Sequence, residues 1–498
     1  MIKRQRKLII LFGVAAIVTI IVYFAVISPL VAKRALEAEE EPPELLPGEV
    51  LGTNNRILMM EHVEKTQIQE IEVHNKHGVF ALYRGKDDEF YIRDNEGAPY
   101  SLTMLSSLVV SSGYTLSMTR VSEDCDNLGE YGLAVSDNPA WYKLTKTDGT
   151  EHIIYVGDMI PTGAGYYCRY SERNAVYILD VSIGTTLLAD ITDFITPILS
   201  YPVSSTTYFT VDDFYIAREG ELFVWIDYMT PEELEDTAST GYGTYLMKFP
   251  TNYTPSSTNY DSILQLFTNF TGIKTVVLGN TKEVMPEATL AEYGINMEVP
   301  AYELHYTYNG VENFVYFSKV GEDGKQYAYS LLFNLITEVD PATMAFLDWD
   351  IIKFVDRPIF QKNINDVATI TLESDDINET FTLQGEGQEI IITPKSTGKK
   401  FDADGVQNFR QLYKVILGLS MEDYTENDST ENCIATLTVV TDAGVETVYK
   451  FYPYSTRRAF YTVNGEGEFY LLRDPVEKML SDCSKVMAGL TVDSEAKN

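Results

Sequence analysis

One short pattern, apolar-x-x-apolar-x-apolar, occurs three times in this chain: Ile68, Ile71 and Val73; Val211, Phe214 and Ile216; Val367, Ile370 and Leu372. The copies start 143 and 156 residues apart. Solenoid repeats have periods of about 20–50 residues, so the repeated object here is a whole domain. Each copy leads into a second strand-like stretch, at Val79–Tyr83, Leu222–Ile226 and Thr380–Leu383. An apolar helix candidate comes next, near Leu102–Met118, Ser262–Val277 and Val406–Leu419.

The second half of the unit recurs as well. Tyr131-Gly132-Leu133 is answered by Tyr293-Gly294-Ile295, and Pro139 and Pro300 then precede alternating stretches at Trp141–Thr145 and Tyr302–Tyr306. The third copy has its alternating stretch at Ile434–Val440 but lacks the Tyr-Gly element. Turns follow at Asp148-Gly149, Asn309-Gly310 and Ala443-Gly444. Asp-Gly and Asn-Gly between alternating runs signal tight hairpins, because the central residues must accept positive φ. Return strands are expected at His152–Val156, Asn313–Phe317 and Glu446–Phe451, then two more strands, such as Tyr166–Tyr170 and Ala175–Leu179. A short closing helix is expected at Thr185–Ile195, Pro341–Phe346 and Pro475–Val486. The expected fold class is therefore α+β, with three tandem antiparallel-sheet-plus-helices domains at 61–198, 203–358 and 364–490 and a tail at 491–498. The second copy carries an insertion around Tyr228–Ser257. If the copies are equivalent, Ile71, Phe214 and Ile370 occupy matching buried positions.

The N-terminus constrains location. Residues 1–7 hold four cations, Lys3, Arg4, Arg6 and Lys7, and the run from Leu8 to Ala32 is uncharged and mostly apolar. About 20 apolar residues span a bilayer as a helix. The apolar core of a secretory signal is shorter, about 7–15 residues, and ends at a small-x-small cleavage site that is not evident here. The reading is a transmembrane signal anchor at 8–32, with residues 1–7 cytoplasmic and everything after Lys33 outside, since cations favour the cytoplasmic flank. The segment 33–60 is acidic and contains Pro, and reads as a stiff, self-repelling spacer. The chain carries 73 acidic against 38 basic residues, a formal charge of −35. That excess excludes a nucleic-acid-binding surface, which must be basic to meet phosphates.

Several stretches resemble a known family. Tyr131-Gly132-Leu133, the hairpin to Val156-Gly157-Asp158, Pro161 through Tyr167, and Val176-Tyr177 look like bacterial domain-of-unknown-function family 4340. Phe401-Asp402-Ala403-Asp404 in the third copy is similar to the N-terminal half of that family. The resemblance covers nearly all of the chain after the spacer. It implies a membrane-anchored partner of an ABC-type transport system related to gliding-motility components. It implies no catalytic residues.

Candidate chemistry resolves mostly into structure. Gly163-Ala164-Gly165 lacks the third glycine and following helix of a dinucleotide site, so a turn between strands is expected. Asp402 and Asp404 lack the further oxygens of a calcium loop and are read as helix caps. The pairs Asp87-Asp88, Asp212-Asp213 and Asp375-Asp376 are assigned to turns or strand edges. His62, His74, His77, His152 and His305 show no His-x-x-x-His spacing, and no Gly-x-Ser-x-Gly elbow occurs. Cys125, Cys168, Cys433 and Cys483 allow the intradomain disulfides Cys125–Cys168 and Cys433–Cys483 outside the membrane, or free buried thiols. Most of the 34 tyrosines are expected in core and cross-strand packing. No catalytic, cofactor-binding or metal residue is assigned. The expected function is a non-enzymatic, single-pass membrane protein serving as a scaffold in an ABC-type envelope transport assembly. The alternative is a cell-surface module that binds wall polysaccharide or peptide.

Overall fold

The computed structural model describes residues 43–495, except 54–55, 116–117, 232, 234–243, 281–282 and 426–428. The expected anchor at 8–32 lies outside them. Among the described residues no helix is long and apolar enough to cross a membrane.

Three eight-stranded antiparallel sheets dominate the fold. In the first, the strands are Ile68–Asn75, Gly78–Arg84, Phe90–Ile92, Thr119–Ser122, Ala140–Lys146, Glu151–Met159, Gly165–Tyr170 and Val176–Asp180. Numbered along the chain, they lie in the spatial order 3-2-1-5-6-7-8-4. The second sheet, from Asp212–Arg218 to Leu335–Val339, and the third, from Val367–Glu373 to Glu466–Leu472, have the same order. The repeat is therefore a repeat of topology as well as of pattern.

That order follows from one crossing. Three strands step outward to one edge, then a helix carries the chain across the sheet to a fourth strand on the far edge. The remaining four fill the space between the first strand and the fourth. The crossing helices are Leu102–Gly113, Asn259–Leu266 and Ala403–Leu417. Each turns an i, i+3, i+4 stripe inward: Leu105, Leu108 and Val109; Tyr260, Ile263 and Leu264; Phe409, Leu412 and Tyr413. Opposite them stand the inward residues of the first strands. Ile71, Phe214 and Ile370 are each fully buried. Phe214 meets the Tyr260 ring edge-on at 5.4 Å. Tight hairpins join the middle strands. Between Tyr308 and Val311, Asn309 (φ 52°) and Gly310 (φ 74°) both take the left-handed conformation, which Asn and Gly tolerate best.

The described residues are mostly sheet with few helices, so the α+β reading holds only in part, and some helices differ from expectation. The stretch Ser262–Val277 divides: the helix ends at Leu266, and Lys274–Leu278 is the fourth strand of its sheet. Its β-branched run Thr275-Val276-Val277 suits a strand better than a helix, where χ1 would be restricted. The expected closing helix at Pro341–Phe346 is present only as a short 3₁₀ turn at Ala345–Asp348, while Val181–Leu187 and Arg473–Met487 close the other two units.

By compactness the chain divides into two units, one ending at Phe194 and one holding the second and third sheets. In the second unit a single apolar core runs from Leu199 to Val492 through both sheets. The connector 354–359 stitches them together with backbone hydrogen bonds. On one side Ser256 N–H donates to Phe354 O (2.8 Å) and Asp356 N–H to Thr254 O (3.1 Å). On the other, Met421 N–H donates to Arg357 O (2.8 Å) and Ile359 N–H to Leu419 O (3.0 Å). Phe360 then buries its ring against Tyr413 and Tyr449. The residues that enter the second repeat make the same pair of bonds to it, Gly272 N–H to Pro197 O and Leu199 N–H to Phe270 O.

Truncating Phe214 or Ile71 to Ala removes buried contacts and leaves a cavity, a loss of about 2–5 kcal/mol. Phe214→Ala should lower the calorimetric transition of the unit that holds both the second and third sheets. Ile71→Ala should lower that of the first unit. Recovery of an intact third sheet as a protease-resistant fragment from unfolding Phe214→Ala protein would contradict a shared core.

Candidate functional site

The residues singled out by sequence fall mostly into structural roles. Gly163 (φ 72°) sits in the turn between Glu151–Met159 and Gly165–Tyr170, and Tyr166 and Tyr167 continue as strand. Asp402 caps its helix, its side chain accepting from Gly405 N–H at 2.9 Å. Asp87 and Asp88 are exposed in a turn, and Asp375 and Asp376 in a bend. Asp213 accepts from the Trp225 indole N–H (2.9 Å). His74 stacks on Trp141 with centroids 3.7 Å apart, and His305 is buried between Tyr215 and Phe314. All four cysteines are free thiols, so neither intradomain disulfide is formed. Burial pushes the thiols of Cys168 and Cys483 up to about 12. Five of the largest fully buried side chains are tyrosines, including Tyr142, Tyr306 and Tyr461. Among the described residues no group of three or more His, Cys, Asp or Glu is placed to hold a metal ion.

Two features were not legible in these patterns. The first is a clamp on the N-terminal segment. Residues 43–53 and 56–60, which the charge pattern assigns to the spacer, pack against the first unit, with Glu49, Leu58, Met59 and Met60 buried. Glu49 is the fixing point, and its side chain is fully buried. One oxygen accepts from Arg120 Nη1 (2.7 Å) and Leu46 N–H (2.7 Å), the other from the Tyr177 hydroxyl (2.7 Å). Arg173 stands 3.8 Å away and donates to Met59 O. A buried carboxylate is tolerated only when paired and hydrogen-bonded in this way. The signal that could have located the segment is the apolar run Ile57-Leu58-Met59-Met60, out of place in a solvated spacer.

The second is a cleft of about 720 Å³ between the second and third sheets, within the second unit. Its shape comes from the connector and from a loop of the second repeat. That loop sends Tyr253 into the third sheet, where its hydroxyl meets that of Tyr461 (3.1 Å) and its ring packs at 5.2 Å from Phe469. Tyr449 lines the same wall. Burial pushes the Tyr253 phenol up to about 12 and raises those of Tyr449 and Tyr461. The polar lining comes from both repeats and the connector. Lys248 belongs to the second repeat, where its ammonium lies 3.6 Å from Glu233 and 5.8 Å from the Trp225 ring. Asp356 comes from the connector, Lys362 from just beyond it, and Glu446, Glu466 and Glu468 from the third sheet. Burial lowers the Lys362 ammonium from its usual value, with Asp366 opposing in part. The volume falls within the usual range of small-molecule sites, about 300–1,000 Å³. Among the described residues the lining holds no serine, cysteine or histidine; its ionisable groups are carboxylates, lysines and tyrosines.

Comparison of the chain with protein-family models, with curated proteins and with solved structures finds no match.

Both features lead to measurable outcomes. Glu49→Ala removes the acceptor shared by Arg120, the Leu46 N–H and the Tyr177 hydroxyl, while Arg120 keeps Glu123 and Glu44 O, a loss of about 1–3 kcal/mol. Proteolysis should then release the segment before Glu61 while the first sheet stays folded, and hydrogen exchange would locate the change. The phenols around Tyr253 act at high pH. An unfolded chain releases phenolic protons near pH 10, whereas the folded one holds them. Their contribution is complete below about pH 10 and is lost as pH rises toward about 12. The unfolding temperature of the second unit should fall steeply over that interval, and Tyr253→Phe should make the fall shallower.

Proposed function

We propose that this protein is a non-enzymatic, membrane-anchored scaffold of the extracytoplasmic face, accessory to an ABC-type envelope transport assembly, with an α+β ectodomain of three repeats on a single N-terminal helix. The observation that carries the reading is the order of parts. A cation-flanked apolar run of anchor length stands first, and three copies of one sheet topology follow it. Tandem copies offer several surfaces for partner subunits at little folding cost, since each copy reuses one solution to burying its core. The Glu49 clamp supports the same reading. It draws the chain onto the first sheet at Glu49, a few residues beyond the acidic stretch. The resemblance to family 4340 supports a transporter as partner, as an analogy of family and not of site.

A second reading, a surface module binding wall polysaccharide or peptide, is favoured by the cleft between the second and third sheets. Co-purification from detergent extracts separates the two. Recovery of ATP-binding and permease subunits supports the scaffold, while retention on isolated wall material supports the ligand-binding module. Protease added to protoplasts should digest the chain beyond Lys33 and leave a small membrane-bound stub. Full protection of the ectodomain would overturn the orientation. Reversing the charge of Lys3, Arg4, Arg6 and Lys7 should impair insertion or scramble topology.

A further inference from the structure

Lys362 stands apart from the other charges of the cleft. It lines the wall just beyond the connector, and its Nζ is closed to solvent with no hydrogen-bond partner among the described residues. It also forms no salt bridge there, and the ionisable group acting on it is Asp366, four residues further along the chain. Its backbone carbonyl accepts from the Tyr413 hydroxyl (2.7 Å), which holds the base of the side chain in place. An unpaired ammonium withheld from water is costly, and native proteins pair nearly all such groups. A change of the Lys362 side-chain rotamer would turn Nζ from this closed position to the cleft surface, where an oxyanion would be its partner.

The remaining charges narrow the ligand further. Lys248 has Glu233 beside it, while Asp356, Glu446, Glu466 and Glu468 bring four carboxylates to the lining. Asp356 already accepts from Ser257 N–H (3.1 Å), and Glu446 and Glu466 are exposed. A plain anion entering this cleft would meet net repulsion. A ligand that carries an ammonium as well as an oxyanion would satisfy both ends, because electrostatic complementarity sets register and rejects wrong partners.

We infer that the cleft between the second and third sheets binds a small zwitterionic ligand, with its carboxylate or phosphate on Lys362 and its amine toward the Glu446 and Glu466 carboxylates. The site is made by the connector and stands whether or not the chain serves a transporter. Two chemical sources share this pattern: a peptide, with its terminal carboxylate and amine, and an aminoalcohol phosphate, as in a lipid or polymer headgroup.

The test uses the full chain in detergent and calorimetric titration with four probes: alanyl-alanine, phosphoethanolamine, inorganic phosphate and ethanolamine. One or both zwitterions should bind, with phosphate and ethanolamine each at least about tenfold weaker, the size of one lost charge-assisted contact. Which zwitterion binds tells carboxylate from phosphate. Lys362→Met should abolish that binding while leaving the unfolding temperature without ligand unchanged or higher, since it removes an uncompensated charge. Lys362→Arg should retain part of it. Should Lys362→Met fail to fold, the exposed double variant Glu446→Gln, Glu466→Gln serves instead and should weaken the zwitterion to the level of its anionic half. Binding by Lys362→Met equal to that of the unaltered chain, no loss in the double variant, or no binding of either zwitterion would overturn the assignment.

Discussion

Each unit is organised around the inward stripe of its first strand. That strand is the one against which both arms of the sheet are built. The second strand pairs on one side and the fifth on the other, as Leu82 and Leu144 flank Ile71 and as Phe381 and Val439 flank Ile370. The crossing helix then closes the face above it. Removing these side chains from water is the main favourable term available to the sheet, and it also fixes register, because a slip of one residue would turn the whole stripe outward. The fourth strand reaches the far edge only because the helix lies across this stripe.

The same economy explains the two features that lie outside the repeat pattern. A connector between repeats has backbone groups to satisfy, and burying it demands a partner for each. The segment 354–359 meets the demand by pairing on one side with the second repeat and on the other with the third. The two sheets thereby share one core, and the cleft between them has a rigid base. The Glu49 clamp solves the related problem at the start of the first unit. There the covering segment is held by one buried carboxylate with three donors, where apolar packing alone would leave it free to fray.

In each unit six of the eight strands were legible in the sequence, and the two missed were the edge strands. Phe90–Ile92 and Thr119–Ser122 are short, and neither offers a long alternation of apolar and polar residues. An edge strand has one neighbour and needs less of its surface buried, so its sequence carries a weaker imprint. The helix at Asn259–Leu266 was overrun for a related reason: apolar residues continue from the helix into the next strand, and periodicity alone does not mark the break between them. Asp402 was readable as a cap because capping is local, one side chain and the N–H three residues on.

By itself, the sequence determined the threefold repeat, the hairpins at Asp148-Gly149 and Asn309-Gly310, and the burial of Ile71, Phe214 and Ile370. These depend on contacts within a strand, a turn or a single helix, and local chemistry prints them directly on the chain. The tertiary structure decided the rest. Glu49 meets Arg120 and Tyr177 across 71 and 128 residues, and Tyr253 meets Tyr461 across 208. The cleft and the unpaired ammonium of Lys362 exist only once the second and third sheets are docked. Nothing in the identity of a glutamate near an acidic stretch, or of a lysine after a glutamine, states which distant side chain will stand opposite it. That is set by the packing of whole sheets, where the burial energy of many apolar residues fixes the positions that a few polar ones then occupy.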